Sequence, residues 1–425
     1  MTFELKYAKI VIIKVRKERE MVLRKEYLSL LKEWKDEKVI KVITGIRRSG
    51  KSTLLKQFED TLISLGISKE QIHFFNFEDI DYEELLDYKK LYNRINENLV
   101  KSKMNYVLLD EVQKVESFEK AVDSLYIKDN VDIYITGSNA YLLSSELSTL
   151  LSGRYVEINM LPLSFKEYFE LKGGEKDAAF SDYLKYGGLP YAATLNGSEN
   201  KIDTYLEGIY NTIIIKDIEE RSRRKESDPN KRKINDILLL KNISKFLASS
   251  IGNLISLKSI SDYLTSSGRK TSQNTVSDYL EALVEPYIFY PAQRYDVVGK
   301  QLLKTNQKFY VVDLGIRRYL LPRKSYDLGF SLENTVFFEL IRRGYEVNVG
   351  KIGTGEVDFV AKKNGRYHYF QVTASMLEES TFNREMSALT SIKDNYPKNV
   401  ITLDRYTPGN YDGIDVVNAV DWLLA

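Results

Sequence analysis

Through its first ~195 residues the chain alternates short, continuously apolar runs with longer amphipathic ones. VIKVITG is followed by a helical pattern beginning near Ser52, IHFFNF by LLDYKKLYNRINENLV, YVLLDEV by FEKAVDSLYI, and VDIYITG by YLLSSELSTLL; YVEINML closes the series. Runs that are apolar throughout, rather than at every second position, belong to strands covered on both faces, the habit of parallel sheets with helices on either side. The pattern predicts an α/β fold built on five parallel strands with covering helices.

The pattern then changes. Arg221 to Lys233, RSRRKESDPNKRK, has seven basic and two acidic residues and no apolar anchor, and reads as a linker or exposed loop. ILLLKNISKFLASSIG, LKSISDYLTSSG and SQNTVSDYLEALVE then give three helices, and YIFYPAQRYD and KFYVVD give a hairpin, the order of a winged helix. From about residue 325 a helix, ENTVFFELIRRG, precedes strands YEVNVG, EVDFVAK and YHYFQVTAS, another helix and the strand NVITL, a separate α/β unit. The expected domains are thus 21–215, a linker at 216–233, a winged-helix-like domain at 234–322, and a last domain at 323–425. No repeat of 20 to 50 residues is present.

Composition narrows the chemistry. The 425 residues are 43% hydrophobic and 29% charged, enough for about three folded domains. Lys+Arg 62 against Asp+Glu 60 leaves a net charge of +2, so attraction to nucleic acid must come from local clusters. With no cysteine, and with His73 and His368 the two histidines, thiolate zinc sites, cysteine nucleophiles and Ser-His-Asp chemistry are disfavoured. Apolar runs such as Val11 to Ile13 are too short for a signal or a membrane span, and a cytoplasmic location is expected.

Gly45 to Ser52 reads GIRRSGKS, a full match to GxxxxGK(S/T), set between a strand and a helix as its mechanism requires. In such a loop Gly45 and Gly50 let backbone N–H groups approach polyphosphate oxygens; Ile46, Ser49 and Thr53 belong to the same cradle, and Arg47 and Arg48 within it either contact phosphate or face solvent. Lys51 neutralises the β/γ charge, and the Ser52 hydroxyl ligates Mg²⁺. YVLLDE then ends a strand in two carboxylates: Asp110 can hold the Mg²⁺ shell and Glu111 can activate the attacking water. With one strand, IHFFNF, between the two motifs, the pair indicates the P-loop class in which an extra strand separates them. The strand IYITGSN offers Ser138 or Asn139 as a γ-phosphate sensor. Arg154 is a candidate for charge stabilisation of the transferring phosphoryl group, within the chain or on a neighbour.

These residues carry a resemblance to the prokaryotic AAA-like ATPases that pair a P-loop domain with a C-terminal domain of unknown function. The matching stretches are VITGIRRSGKSTLL, YVLLDEVQKV, ITGSNAYLLSSELSTLLSGRYVEINMLPLSFKEY, YGGLP, LENTVFFELIRRGYEV, EVDFVA and YFQVT. The resemblance implies ATP binding and hydrolysis, with Gly45, Gly50, Lys51, Ser52, Asp110 and Glu111 on the family's nucleotide motifs and Arg154 on its SGR arginine. It also makes residues 1–20 an N-terminal extension, since Met21 begins a family-like start.

In the winged-helix-like block, Arg269, Lys270, Gln273 and Asn274 are placed to face DNA, and Arg294, Lys300, Lys304 and Lys308 on the hairpin to contact phosphates. The last unit resembles the restriction-endonuclease fold, which binds Mg²⁺ through a helical Glu, a strand Asp and an acidic-x-Lys pair. Glu333 and Asp358 fall in that order, but the pair is replaced by Gln371 and Thr373, so a degenerate site is expected, with Glu356 a substitute carboxylate. The overall expectation is a Mg²⁺-dependent ATP-hydrolysing switch or motor acting on its C-terminal domains, with DNA or a protein as partner and no membrane. The alternative is a nucleotide-gated DNA-binding protein or nuclease.

Overall fold

The computed structural model describes residues 22–137, 151, 153–195, 199–213, 218, 234, 236–321, 328–407 and 409–425. The expected extension at 1–20, nearly all of the expected linker at 216–233, and both Ser138 and Asn139 lie outside the described residues. The chain divides into two compact units, Met1–Pro162 and Leu163–Ala425.

The first unit is an α/β layer structure. Helix α1 (Lys25–Glu33) leads into β1 (Ile40–Thr44), α2 (Lys51–Ser64), β2 (Ile72–Asn76), α3 (Tyr88–Asn98), β3 (Asn105–Asp110), α4 (Phe118–Tyr126), β4 (Val131–Thr136) and β5 (Tyr155–Asn159). The five strands are parallel in the order β2-β3-β4-β1-β5. All residues of β1, β3 and β4 are buried, as their largely apolar character predicts, with the polar Lys41 of β1 ion-paired to Asp132 of β4. Alternate residues feed two cores. Val42, Val107, Leu109, Ile133 and Ile135 meet Leu91, Ile95, Phe118 and Leu125 of α3 and α4. On the other face Ile43, Leu108 and Tyr134 meet Leu28 and Leu31 of α1 and Leu54, Leu55 and Phe58 of α2. Each such side chain contributes about 1.5–3 kcal/mol of burial.

The strand that separates β1 from β3 in space is β4, VDIYIT, whereas IHFFNF becomes the edge strand β2. Local pattern marks strands but not their neighbours, because crossovers longer than a hairpin leave sheet order to tertiary packing.

The second unit begins with helices α5 (Phe165–Lys172), α6 (Lys176–Tyr186) and α7 (Glu199–Thr212), so the compact units meet at 162/163, upstream of the boundary expected at 215. Helices α8 (Ile237–Ser249), α9 (Leu257–Ser266) and α10 (Gln273–Val284) follow, then strands β6 (Phe289–Asp296) and β7 (Gln301–Val311) and helix α11 (Leu314–Leu320). The final stretch runs α12 (Leu328–Arg342), β8 (Glu346–Ile352), β9 (Gly355–Lys363), β10 (Arg366–Thr373), α13 (Glu379–Thr390), β11 (Lys398–Thr402), β12 (Gly409–Tyr411) and β13 (Ile414–Asn418).

Hairpin β6–β7, expected as the hairpin of a winged helix, also joins the last domain's strands in one mixed eight-stranded sheet, β12-β13-β11-β10-β9-β8-β6-β7. The first half of β6 pairs with β7 and its second half also with β8, through Arg294↔Val349 and Asp296↔Lys351. An edge strand leaves its N–H and C=O groups unpaired, and sharing β6 between hairpin and sheet satisfies them. The YGGLP stretch wraps a buried carboxylate: Asp313 accepts the N–H groups of Gly188 at 2.6 Å, Gly315 at 2.9 Å and Ile316 at 3.3 Å. Burial raises Asp313 to about 6, against the pull of those backbone donors.

Candidate active site

The loop after β1 is shaped by close backbone approach. Gly45 has φ +131°, and a Cβ there would stand 2.2 Å from the carbonyl oxygen of Met160, so no other residue fits. Arg48 and Gly50 also take positive φ, and Gly50 is the N-cap of α2. Lys51, 4% exposed, donates to the carbonyls of Gly45 at 2.9 Å and Ile46 at 3.0 Å, which hold its ammonium inside the loop. Ser52 is exposed at the first turn of α2, Thr53 and Arg47 are half-buried, Arg48 is exposed, and Ile46 and Ser49 are buried. The loop's N–H groups crown a helix N-terminus, an arrangement that favours anions.

At the C-terminal end of β3, Asp110 is fully buried. Its Oδ1 accepts the Thr136 hydroxyl at 2.5 Å, whereas Oδ2 is buried with no hydrogen-bond partner. Burial raises the Asp110 pKa, opposed by the Thr136 hydrogen bond, the nearby Ser52 hydroxyl and the Lys51 charge, and reinforced by Glu111. A buried carboxylate oxygen without a donor is costly, and a cation beside Ser52 would relieve the cost. Glu111, 7% exposed, sits at φ +55°, a strained conformation for a residue with a Cβ. Its N–H donates to the Thr136 hydroxyl at 3.0 Å, and its Oε2 accepts Gln113 Nε2 at 2.5 Å.

Two residues that no sequence motif marks organise this site. Thr136, at the end of β4, grips Asp110 and Glu111 together because β4 lies between β1 and β3. Arg24, 2% exposed, donates to the Ser49 carbonyl of the loop at 3.0 Å and to the Leu161 carbonyl at 2.8 Å, with its guanidinium 4.9 Å over the Tyr27 ring. The Tyr27 hydroxyl in turn accepts the N–H of Leu161 at 3.0 Å. A lone arginine before an amphipathic helix gives no sequence signal for this clamp.

Arg154 is not brought to the loop of its own chain. In the β1–β5 register Ile40 pairs with Tyr155 and Thr44 with Asn159, so Arg154 lies at the start of β5 and the loop at the far end of β1. At ~3.3 Å per residue the two are about 15–20 Å apart, beyond an arginine's reach. Its guanidinium lies 5.4 Å over the Tyr126 ring, and its charge lowers Asp123 against the upward push of burial. The within-chain role is therefore corrected.

The second unit also revises its expected contacts. Arg269 is ion-paired with Asp236 rather than open to a phosphate. Lys270, Gln273, Asn274 and Lys300 are exposed, Arg294 is half-buried, and the Lys304 side chain lies outside the described residues. Lys308 is not a surface contact at all. It is 2% exposed and its ammonium meets Glu356 at 2.6 Å, Glu333 at 3.0 Å and Asp358 at 3.7 Å. Burial lowers the Lys308 pKa, but Glu333, Asp358 and Glu356 more than reverse this and keep it charged. Burial and the Glu333 charge raise Asp358 to about 8, with Lys308 pulling back. Glu333, Asp358 and Glu356 thus converge on the Lys308 ammonium. Gln371 accepts the Asp358 N–H at 3.2 Å and donates to Glu385 at 2.7 Å, and Thr373 donates to the Ser375 carbonyl at 3.0 Å.

The parallel sheet, with a GxxxxGKS loop after β1 and a buried Asp-Glu pair after β3, defines a P-loop nucleotide-binding protein. The AAA domain family matches residues 37–169, and Domain of unknown function (DUF8612) matches residues 177–327. An uncharacterized protein of Haemophilus influenzae is 42% identical over 412 residues, covering 96% of this chain and 99% of its own. An uncharacterized protein of Methanocaldococcus jannaschii is 30% identical over 380 residues, 84% of this chain and 79% of its own. The chain belongs to this family of AAA-type P-loop ATPases with a C-terminal domain of unknown function. Among solved structures, a Walker-type ATPase of Pyrococcus abyssi is similar at 18% identity and a TM-score of 0.47, over 71% of this chain and 96% of that one. Among the described residues no helix is long and apolar enough to cross a membrane.

Proposed function

We propose that the protein binds ATP with Mg²⁺, hydrolyses it, and uses the change of nucleotide state to act on its second unit. The observation that carries this reading is the unpartnered, buried Asp110 Oδ2 at the end of β3, beside Ser52 and Lys51. The donor set suits a hard cation: Ser52 and Asp110 would hold Mg²⁺, which supplies charge neutralisation at the β- and γ-phosphates. Loop N–H groups and Lys51 bind and orient the triphosphate. Glu111 takes the proton of the attacking water at its carboxylate once Gln113 releases Oε2. Thr136 fixes the relative placement of Asp110 and Glu111, and Ser138 or Asn139, next along the chain, senses the γ-phosphate. Arg154, exposed at the opposite sheet end, is free to serve a neighbouring copy's site but not its own.

DNA is the candidate partner of the second unit. Ile255 and Gln307 form an antiparallel bridge that ties the α8–α9 turn to the hairpin, as a winged helix requires, and Lys270, Gln273 and Asn274 are exposed near the start of α10.

The test is phosphate release with Mg²⁺, with and without duplex DNA, alongside nucleotide binding by calorimetry. Lys51→Ala should weaken binding tenfold or more, whereas Glu111→Gln should keep binding and lose about 100-fold or more of turnover. Parental turnover by Glu111→Gln overturns the base assignment. Absence of Mg·ATP binding at millimolar concentration overturns the whole reading, and DNA that neither binds nor changes turnover removes the DNA partner.

A further inference from the structure

A nuclease-type metal centre needs carboxylates facing a divalent ion, open coordination positions and access for a phosphodiester. The cluster in the second unit has the carboxylates without the rest. Glu333 from α12 accepts the Tyr310 hydroxyl at 2.7 Å and the Lys308 ammonium at 3.0 Å through the same oxygen. Asp358 from β9 spends Oδ2 on the Val372 N–H at 2.9 Å. The two β10 positions, Gln371 and Thr373, are engaged with Glu385 and the Ser375 carbonyl. Over Glu333 the turn after α8 closes so tightly that a Cβ on Gly252 would stand 2.8 Å from Glu333 Oε2 and 2.6 Å from Phe330. The Glu333, Asp358 and Lys308 side chains are 8%, 13% and 2% exposed; Glu356, 33% exposed, is the outward member of the cluster, and its Oε1 is taken by the Lys308 ammonium. Among the described residues no group of three or more His, Cys, Asp or Glu is placed to hold a metal ion.

The structure assigns the ammonium of Lys308 the place that a divalent ion takes in a restriction-endonuclease-type site, so the residues do not fit that metal. Lys308 comes from β7, outside the segment 323–425 that supplies Glu333, Glu356 and Asp358. Its single positive charge is the counter-ion for carboxylates on α12 and β9, and it welds the hairpin to the endonuclease-like core. The carboxylate cluster of the second unit is therefore closed by the chain's own lysine. This goes beyond the nucleotide reading and does not depend on it.

The experiment is a Mn²⁺ titration of the full, nucleotide-free chain, followed by calorimetry and by the Mn²⁺ electron paramagnetic resonance signal. The parent and its Asp358→Asn variant should bind Mn²⁺ equally. Lys308→Met should gain one Mn²⁺ site, lost again when Asp358→Asn is added. A parental Mn²⁺ site that Asp358→Asn removes overturns the proposal, as does Mn²⁺-dependent DNA cleavage by the parent that Asp358→Ala abolishes. A folded Lys308→Met chain that gains no Mn²⁺ site also overturns it. If Lys308→Met fails to fold, the comparison of parent with Asp358→Asn and the cleavage assay decide by themselves.

Discussion

Besides Lys41, which pairs with Asp132 inside the first sheet, each unit buries a lysine at its candidate site, and the two sites treat it in opposite ways. Lys51 is held by the carbonyl dipoles of its own loop, and near it Asp110 keeps an oxygen that accepts nothing. Lys308 is held by carboxyl groups from two other elements, with the Tyr310 hydroxyl sharing its Glu333 oxygen and the Val372 N–H taking the second oxygen of Asp358. Carbonyl dipoles can surrender an ammonium to a polyphosphate at modest cost, whereas separating it from buried carboxylates leaves uncompensated charge. A buried charged cluster is ready for a ligand when its internal bonding is incomplete. Where the bonding is complete, the same residue types serve as structure.

The contrast is broken most directly by removing each lysine in turn. Lys308→Met should cost about 3–5 kcal/mol in the second unit, against about 1 kcal/mol for Lys51→Met in the first. Hydrogen exchange in peptides covering β7, α12 and β9, compared with those covering β1 and α2, reads the two losses separately, and equal losses would erase the distinction.

Asp313 gives the next largest effect. Its folded pKa, raised to about 6, lies above the ordinary carboxyl value of 3.8, so the folded chain binds the proton more tightly. Its contribution is therefore most favourable below about pH 4 and is lost as pH rises through 6, by up to about 3 kcal/mol. Relative to Asp313→Asn, the parent's melting temperature should fall between pH 4.5 and 7; a constant difference would show that the carboxylate is charged throughout.

The smallest effect sharpens the first site. Thr136→Val removes the hydroxyl shared by Asp110 and Glu111, and should cost about 1–3 kcal/mol of stability, with turnover down about tenfold. Thr136→Ser should restore both, as measured by thermal unfolding and phosphate release.

Much of the first unit was legible because its signals are local. Strands buried on both faces are predominantly apolar, here with Lys41 and Asp132 paired between them, and a loop that approaches polyphosphate needs glycine where Gly45 meets Met160 and a lysine after Gly50. Asp110 and Glu111 were readable as the acidic end of an apolar run. Thr136 and Arg24 were not, since each acts through a neighbour remote in sequence, and a threonine at a strand end or an arginine before a helix is an ordinary residue. The same limit misplaced Lys308, which reads as one of several hairpin cations, and Arg154, whose position depends on the β1–β5 register.

The sequence by itself determined the nucleotide loop, the acidic strand end, the alternation that makes the first sheet, and membership in the family. Only the tertiary structure decided that β4 lies between β1 and β3, that the hairpin joins the second sheet, and that Lys308 is interior. Local steric and solvation demands act on residues within a few positions of one another and leave a pattern in the chain. Strand order and charge pairing are settled by which distant segments pack together, and one residue type serves either outcome.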